Sequence, residues 1–203
     1  MTTKAAGKEQ LFSLEAYLAL EEKALYRHEF HNGKILEMAG GTDAHSEICT
    51  NLATLLNLYF FQQEAEWHVY NSDLKVFIPL LNKAVYPDLS VVSGAPVFHA
   101  GKRHLLLNPC LIIEVLSAST ADYDRSGKFS EYRSLPSLRE YVIVSHEKPL
   151  VESFFLQDPE QELWKIIIST GLEASIDLPS IGCKLSLKDI YRQVKFETDE
   201  MKG

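Results

Sequence analysis

No stretch of this chain approaches the roughly 18 consecutive apolar residues that would suggest a membrane-spanning helix, and the polar start "MTTKAAGKEQ" lacks the apolar centre of a secretory signal. No membrane association and a cytoplasmic location are the expectations. Cysteine is scarce. Cys49, Cys110 and Cys183 are odd in number, widely separated and without C-x-x-C spacing, which argues against a disulfide framework or a cysteine zinc site and leaves them as small core or half-buried residues. Neither G-x-x-x-x-G-K-[ST] nor G-x-G-x-x-G occurs, so nothing speaks for a nucleotide cofactor. Positive charge is in deficit, 20 Lys and Arg against 28 Asp and Glu for a net −8, which argues against broad adhesion to phosphate-rich surfaces while leaving room for a local basic groove. Internal repeats, low-complexity blocks and Pro/Gly/Ser linkers are missing as well.

What remains is 203 residues with 46% apolar and 24% charged side chains, enough to bury a core within a single domain. The expectation is a flexible N-terminus over 1–12 and one domain over 13–203. Ser13 precedes "LEAYLALEEK", a short capped helix. "YRHEFHNGKILEMA" reads as two strands joined at the Asn32-Gly33 turn. "GGTDAHSEICTNLATLLNLYFFQQ" is the strongest helix, with Ile48, Leu52, Leu55 and Tyr59 on its apolar face. Strand-like runs follow in "EWHVYNSDLKVFIP", "AVYPDLSVVSG" and "LIIEVL". A second helix is predicted over Ala121 to Leu135, stopped by Pro136; then "REYVIVS", "LVESFFLQ" and "ELWKIIIS" read as strands before a weaker polar tail. This order predicts an α/β or α+β fold, a central mixed β-sheet flanked by helices.

One letter in "LNPCLIIEVLSAST" is out of place. A β-branched run bounded by Asn-Pro and Ser/Thr reads as a buried strand, yet it contains Glu114, whose charge is costly to bury without a partner or a metal. Alternation puts Glu114 on the face of Ile112 and Leu116, and in "YPDLSVV" it puts Asp88 on the more polar face with Tyr86, Ser90 and Val92. Two carboxylates on neighbouring strands would raise each other's pKa, and a divalent cation is the usual way to keep both ionised; hard oxygen ligands favour Mg²⁺ or Mn²⁺. In "STADYDRSGKFSEYRSLPSLREY", Asp124 and Lys128 share a helix face, and that helix would fold back over the strand end. Lys128 would then orient or deprotonate an attacking water, or neutralise developing charge.

The segments "YPDLSVVS", "LIIEVLSASTADYDRSGKFSEYRSLPSLREYVIV" and, more loosely, "YRHEFHNGKILEMAGGTDAHSEI" resemble the Uma-type restriction endonuclease family, abundant in cyanobacteria, within the PD-(D/E)XK nuclease superfamily. The match runs from about Tyr26 to Val144. The resemblance implies a restriction-endonuclease-like core, with Asp88 as the motif aspartate and Glu114 as the second acid. It also departs from the superfamily pattern: the lysine expected two residues after Glu114 is Leu116, and the family resemblance moves that role to Lys128. Glu29 and His45 fall where the family tends to carry Glu and His, so they join the site as second-tier members.

Each residue has a plainer alternative. Asp88 could be a turn residue, Glu114 a core acid paired with an arginine such as Arg133, Lys128 a solvated partner of Asp124, His45 a core-edge histidine, and Glu29 a strand-surface acid. His28 and His31 miss the H-E-x-x-H zinc spacing by one residue. The leading expectation is a Mg²⁺- or Mn²⁺-dependent DNA endonuclease with Asp88 and Glu114 as metal ligands, acting as a homodimer because two-strand cutting suits two-fold symmetry. The rivals are a catalytically silent nuclease-fold module that binds nucleic acid or a protein partner, and an interaction subunit whose acids are structural.

Overall fold

Local chemistry sets the first elements where the sequence places them. In the computed structural model, which describes residues 11–38, 40–102, 104–116 and 127–196, Ser13 Oγ accepts from Ala16 N at 3.1 Å and starts α1 (Leu14–Glu21), which buries Leu14 and Tyr17. β1 (His28–His31) and β2 (Lys34–Glu37) form the hairpin, with Asn32 and Gly33 at φ of 48° and 96° as a two-residue turn of this kind demands. α2 (Asp43–Phe60) is capped by Thr42, whose Oγ1 accepts from His45 N at 3.2 Å. Its buried row is Ile48, Leu52, Leu56 and Phe60. Leu55 and Tyr59 flank that row half-buried, contrary to expectation, and the Tyr59 hydroxyl turns aside to donate to Gly182 O at 2.7 Å.

Two runs that read as single strands are each divided between sheets. β3 (Trp67–Asn71) and β4 (Lys75–Ile78) are separated by a turn in which Asn71 Oδ1 accepts from Asp73 N. β5 (Lys83–Val85) and β6 (Leu89–Ser93) are separated around Pro87, which has no N–H to give a ladder. β7 (Leu105–Leu106), β8 (Leu111–Leu116), α3 (Phe129–Tyr132), β9 (Glu140–Ser145), β10 (Leu150–Asp158) and β11 (Leu163–Thr170) follow, then β12 (Ser175–Leu178), β13 (Cys183–Ser186) and α4 (Leu187–Ile190). Of the helix expected over Ala121 to Leu135, residues 121–126, Asp124 included, lie outside the described residues, as do 117–120 before it, and the described remainder is helical from 127 through the turn of α3. Residues 1–10 of the expected flexible start lie outside them too.

The central sheet has six strands in the order β11-β10-β9-β8-β6-β3, with β8 and β9 its parallel pair. Its two faces are buried by different layers. Leu89, Val91, Ile113 and Val115 pack against α2, while Val92, Ile112 and Tyr141 pack against Val76, Ile78 and Val85 of a second, five-stranded sheet ordered β2-β1-β5-β4-β7. α1 covers the outer face of that second sheet through Tyr17, Phe30 and Phe77. Burial on both faces explains why the middle strands read as continuous apolar runs.

The tail that reads as weak and polar is a hairpin plus a helical turn that completes the core. Ile176, Leu178, Cys183 and Leu185 alternate inward, and Leu187 and Ile190 follow them under α2. Short strands of period two leave a faint signal, which is why their contribution was not apparent. On the opposite face an aromatic group gathers around Phe129. Trp164 meets it edge-on with centroids 5.0 Å apart, and Phe154 and Tyr141 complete the contact, whereas Trp67 stacks on Phe60 at 4.7 Å. Among the described residues no helix is long and apolar enough to cross a membrane.

Candidate metal and catalytic site

The antiparallel register of β6 and β8 sets Leu89 opposite Ile113, so Asp88 and Glu114 are each one residue further toward the same end of the sheet. Asp88 Oδ2 accepts from Val115 N at 2.8 Å, which pins the acid to the strand that carries Glu114. Its other oxygen faces His45 Nε2 at 3.0 Å. His45 is delivered by the first turn of α2, and Gly41 makes room for its ring, since a Cβ there would stand 2.8 Å from His45 Nδ1.

Glu114 is only 3% exposed. Its Oε1 accepts from the Tyr132 hydroxyl at 2.8 Å and its Oε2 faces Lys128 Nζ at 3.2 Å. Lys128 therefore reaches the carboxylates from the residue before α3, and it is this lysine, not Arg133, that balances Glu114. Glu29, on β1, takes His31 Nε2 at 2.8 Å and the Tyr86 amide at 3.3 Å, and its charge feels the Lys128 ammonium. All five residues singled out in the sequence thus converge: a chain of groups runs from His45 through Asp88 and Glu114 to Lys128 and Glu29.

The electrostatics of the chain follow from burial and charge. Burial pushes the Glu114 carboxyl up to about 7, Asp88 and Glu29 adding to the push while Lys128 and Tyr132 oppose it. Burial would raise Glu29 also, but the His31 hydrogen bond, the Lys128 charge and the Tyr86 amide together hold it below the ordinary carboxylate range. The hydrogen bond to Asp88 raises His45 against the opposing effect of its burial, favouring the imidazolium. A fully buried acid that is protonated near neutrality, beside a second acid, is a pair that a divalent cation would complete.

Sequence reasoning missed two neighbours. Cys49 is one helical turn after His45, with Sγ 3.8 Å from His45 Nδ1, and ligand atoms of His45, Cys49 and Asp88 all lie within 4.8 Å of one another, a nitrogen, sulfur and oxygen set able to hold a cation. The i, i+4 spacing of the histidine and cysteine was the available signal. Tyr132 was the other, visible only as the residue four after Lys128. An open groove of about 880 Å³ runs from His45, Cys49 and Asp88 along α2, past Thr50 and Asn57 to the exposed ring of Phe61.

A crystal structure from Anabaena variabilis ATCC 29413, described as a "putative nuclease belonging to DUF820", superposes with a TM-score of 0.69 over 91% of this chain and 99% of that one at 17% identity, a likeness of fold. Two Synechocystis proteins of strain PCC 6803 are similar in sequence. The uncharacterized protein slr1290 is 34% identical, covering 91% of this chain and 93% of its own, and the uncharacterized protein sll1609 is 32% identical, covering 83% and 93%. The family model Uma2, "Putative restriction endonuclease", matches residues 14–188, and the chain belongs to that family.

Proposed function

We propose that the chain is a metal-dependent endonuclease that hydrolyses phosphodiester bonds in DNA at the Asp88–Glu114 cluster. The observation that carries this reading is the joint placement of two carboxylates, one buried against a lysine and the other paired with a histidine, the Asp88–His45 pair lining a groove. Asp88 and Glu114 would hold Mg²⁺ or Mn²⁺. Their oxygens are hard ligands, and although each already has one partner, a carboxylate oxygen keeps a second lone-pair direction free. Such a cation supplies a water of lowered pKa and charge stabilisation at the scissile phosphate.

The protein's own groups divide the remaining work. Tyr132 fixes Oε1 of Glu114 so that Oε2 points to Lys128. The Lys128 ammonium sits where it can hold the attacking water or balance charge building on the phosphate oxygens. His45 would orient Asp88, and Glu29, kept ionised, would steady Lys128 through its charge. Two-strand cutting would pair two copies of the chain. The Glu114–Lys128 pair also supports a second reading, a module that has replaced the metal with an internal cation and only binds.

Incubating the purified chain with supercoiled and linear DNA in Mg²⁺, Mn²⁺, Ca²⁺ and EDTA separates the two. The endonuclease reading expects nicks or breaks in Mg²⁺ or Mn²⁺ that vanish with EDTA and with Asp88→Asn. A folded wild-type protein that takes up no Mn²⁺ and cuts nothing would defeat it.

A further inference from the structure

Lys75 opens β4 with only 9% of its surface exposed, an unusual burial for a lysine. Among the described residues its ammonium has no hydrogen bond and no salt bridge; it lies over the Tyr86 ring, 4.8 Å from the centroid. The carboxylate nearest in effect, Glu21, is already committed to the Tyr86 hydroxyl at 2.7 Å and to His28 N and Nδ1 at 3.0 and 3.1 Å. Lys75 lines a cavity of about 650 Å³ together with Lys102, the imidazole of His104, the carboxylates Glu21 and Glu22, and Arg27, which is paired to Asp73. A lysine with so little exposed surface and no acceptor for its ammonium, facing a space where Arg27 and Lys102 also stand and where Glu21 is already taken by its own hydrogen bonds, has room for an anion.

The cavity adjoins the cluster at two points. Tyr86 forms one wall, its amide donates to Glu29, and it is two residues from Asp88. Arg27 forms another wall, and it donates to Ser72 O at 2.9 Å, while Ser72 itself lines the groove that leaves His45 and Asp88. The Arg27–Ser72 contact and the Tyr86–Asp88 segment thus each join a residue lining the cavity to one lining the groove.

We propose that this cavity is a second phosphate site, in which Lys75, supported by Lys102 and His104, grips a backbone phosphate of the DNA strand other than the one being cut. The inference rests on the endonuclease reading for the identity of the strand. The same phosphate chemistry could come from a free nucleotide, so the test carries both.

The full chain, as wild type, Lys75→Met and Lys75→Arg, is titrated into short fluorescein-labelled DNA in Ca²⁺ and in EDTA and followed by anisotropy, and separately into deoxyadenosine monophosphate followed by calorimetry. Lys75→Met is expected to weaken DNA binding about tenfold and to reduce the slope of log K against log salt by about 1, as loss of one phosphate contact requires, with Lys75→Arg close to wild type. Its melting temperature should be unchanged or higher, because an unpaired buried charge has gone. A variant that does not fold leaves a second measurement on the wild type. Acetic anhydride should label Lys75, read by mass spectrometry, and DNA should protect it several-fold. Unchanged DNA affinity and salt slope in Lys75→Met, or labelling that DNA leaves untouched, would overturn the proposal. A variant that loses the mononucleotide and keeps DNA would overturn the strand assignment. Lys75-dependent DNA binding in a protein that cuts nothing would uphold the site and refute the endonuclease reading alone.

Discussion

Glu114 and Glu140 are both buried acids on the parallel strands β8 and β9, and they are used in opposite ways. Glu140 is wholly buried at the start of β9, beside Leu111, and its two oxygens are filled by neutral donors. The Ser153 hydroxyl holds one; the Ser180 amide and hydroxyl hold the other, at 3.0 and 2.6 Å, tying the central sheet to the turn between β12 and β13. Glu114, near the other end of β8, meets an ammonium, a tyrosine and the charge of two further acids. Burial raises the pKa of both. Burial alone therefore does not set the two acids apart; what distinguishes Glu114 is competition among charged neighbours, where Glu140 meets only neutral donors.

The strongest way to break this comparison is to neutralise each acid in turn. Asp88→Asn and Glu114→Gln should each lower metal-dependent cleavage by about 10³ or more, the scale of losing an electrostatic group aimed at the reacting charge. Glu140→Gln should keep wild-type cleavage per folded molecule in the same plasmid assay. Equal losses in all three would make the cluster no more special than the Ser153–Glu140–Ser180 knot.

Next comes the cation. Lys128→Met should fold, still bind Mn²⁺ by calorimetry, and turn over about 10² to 10⁴ more slowly. Lys148, in the turn between β9 and β10, serves as the control, and Lys148→Met should change neither quantity. Equal cleavage by the two variants would return Lys128 to the role of a plain counter-ion.

A third test reverses the roles. Glu140→Leu strands the Ser153 hydroxyl and the Ser180 amide and hydroxyl inside the protein, and should cost about 2 to 5 kcal/mol of unfolding free energy in urea titration. Glu114→Gln should leave stability in EDTA unchanged or raised, since it relieves the mutual repulsion of the acids.

The smallest effect expected is in the pH dependence of melting without divalent metal. Glu114 binds its proton more tightly folded than unfolded, so the stabilisation from that proton is present below the unfolded value and lost as pH rises through about 7. The melting temperature of wild type should therefore fall relative to Glu114→Gln as pH climbs from about 4.5 to 7, the interval between the ordinary and folded values. Glu140 is present in both proteins, so its own raised pKa cancels in the difference. A difference that is flat in pH would place Glu114 in a less strained environment than the structure gives it.

Much of this was legible because local rules and packing agree. The Ser13 cap, the Asn32-Gly33 turn and the anomaly of Glu114 in an apolar run each carry their cause in adjacent letters. The strand breaks at Asn71–Leu74 and Pro87 were harder, because both flanks read as strand and only the three-dimensional course sends them to different sheets. Glu140 in "LREY" looks like an ordinary charged residue at a strand start, since its serine partners are 13 and 40 residues away. Lys75 is hidden for the same reason: nothing next to it in the chain announces that it will be buried beside Tyr86.

The edge-on contact of Trp164 with Phe129 has an optical consequence. Phe129 is the residue after Lys128, so a shift of that backbone on metal binding would change the packing and solvent exposure of the indole it touches, and with them the wavelength of its emission. Trp67 is the chain's other tryptophan, stacked on Phe60 against the far end of α2, and its emission is removed by substitution without touching the lysine segment. The molecule thus carries its own fluorescent gauge: in a Trp67→Phe background, the emission of Trp164 reads the posture of the lysine segment directly, without any label or any turnover.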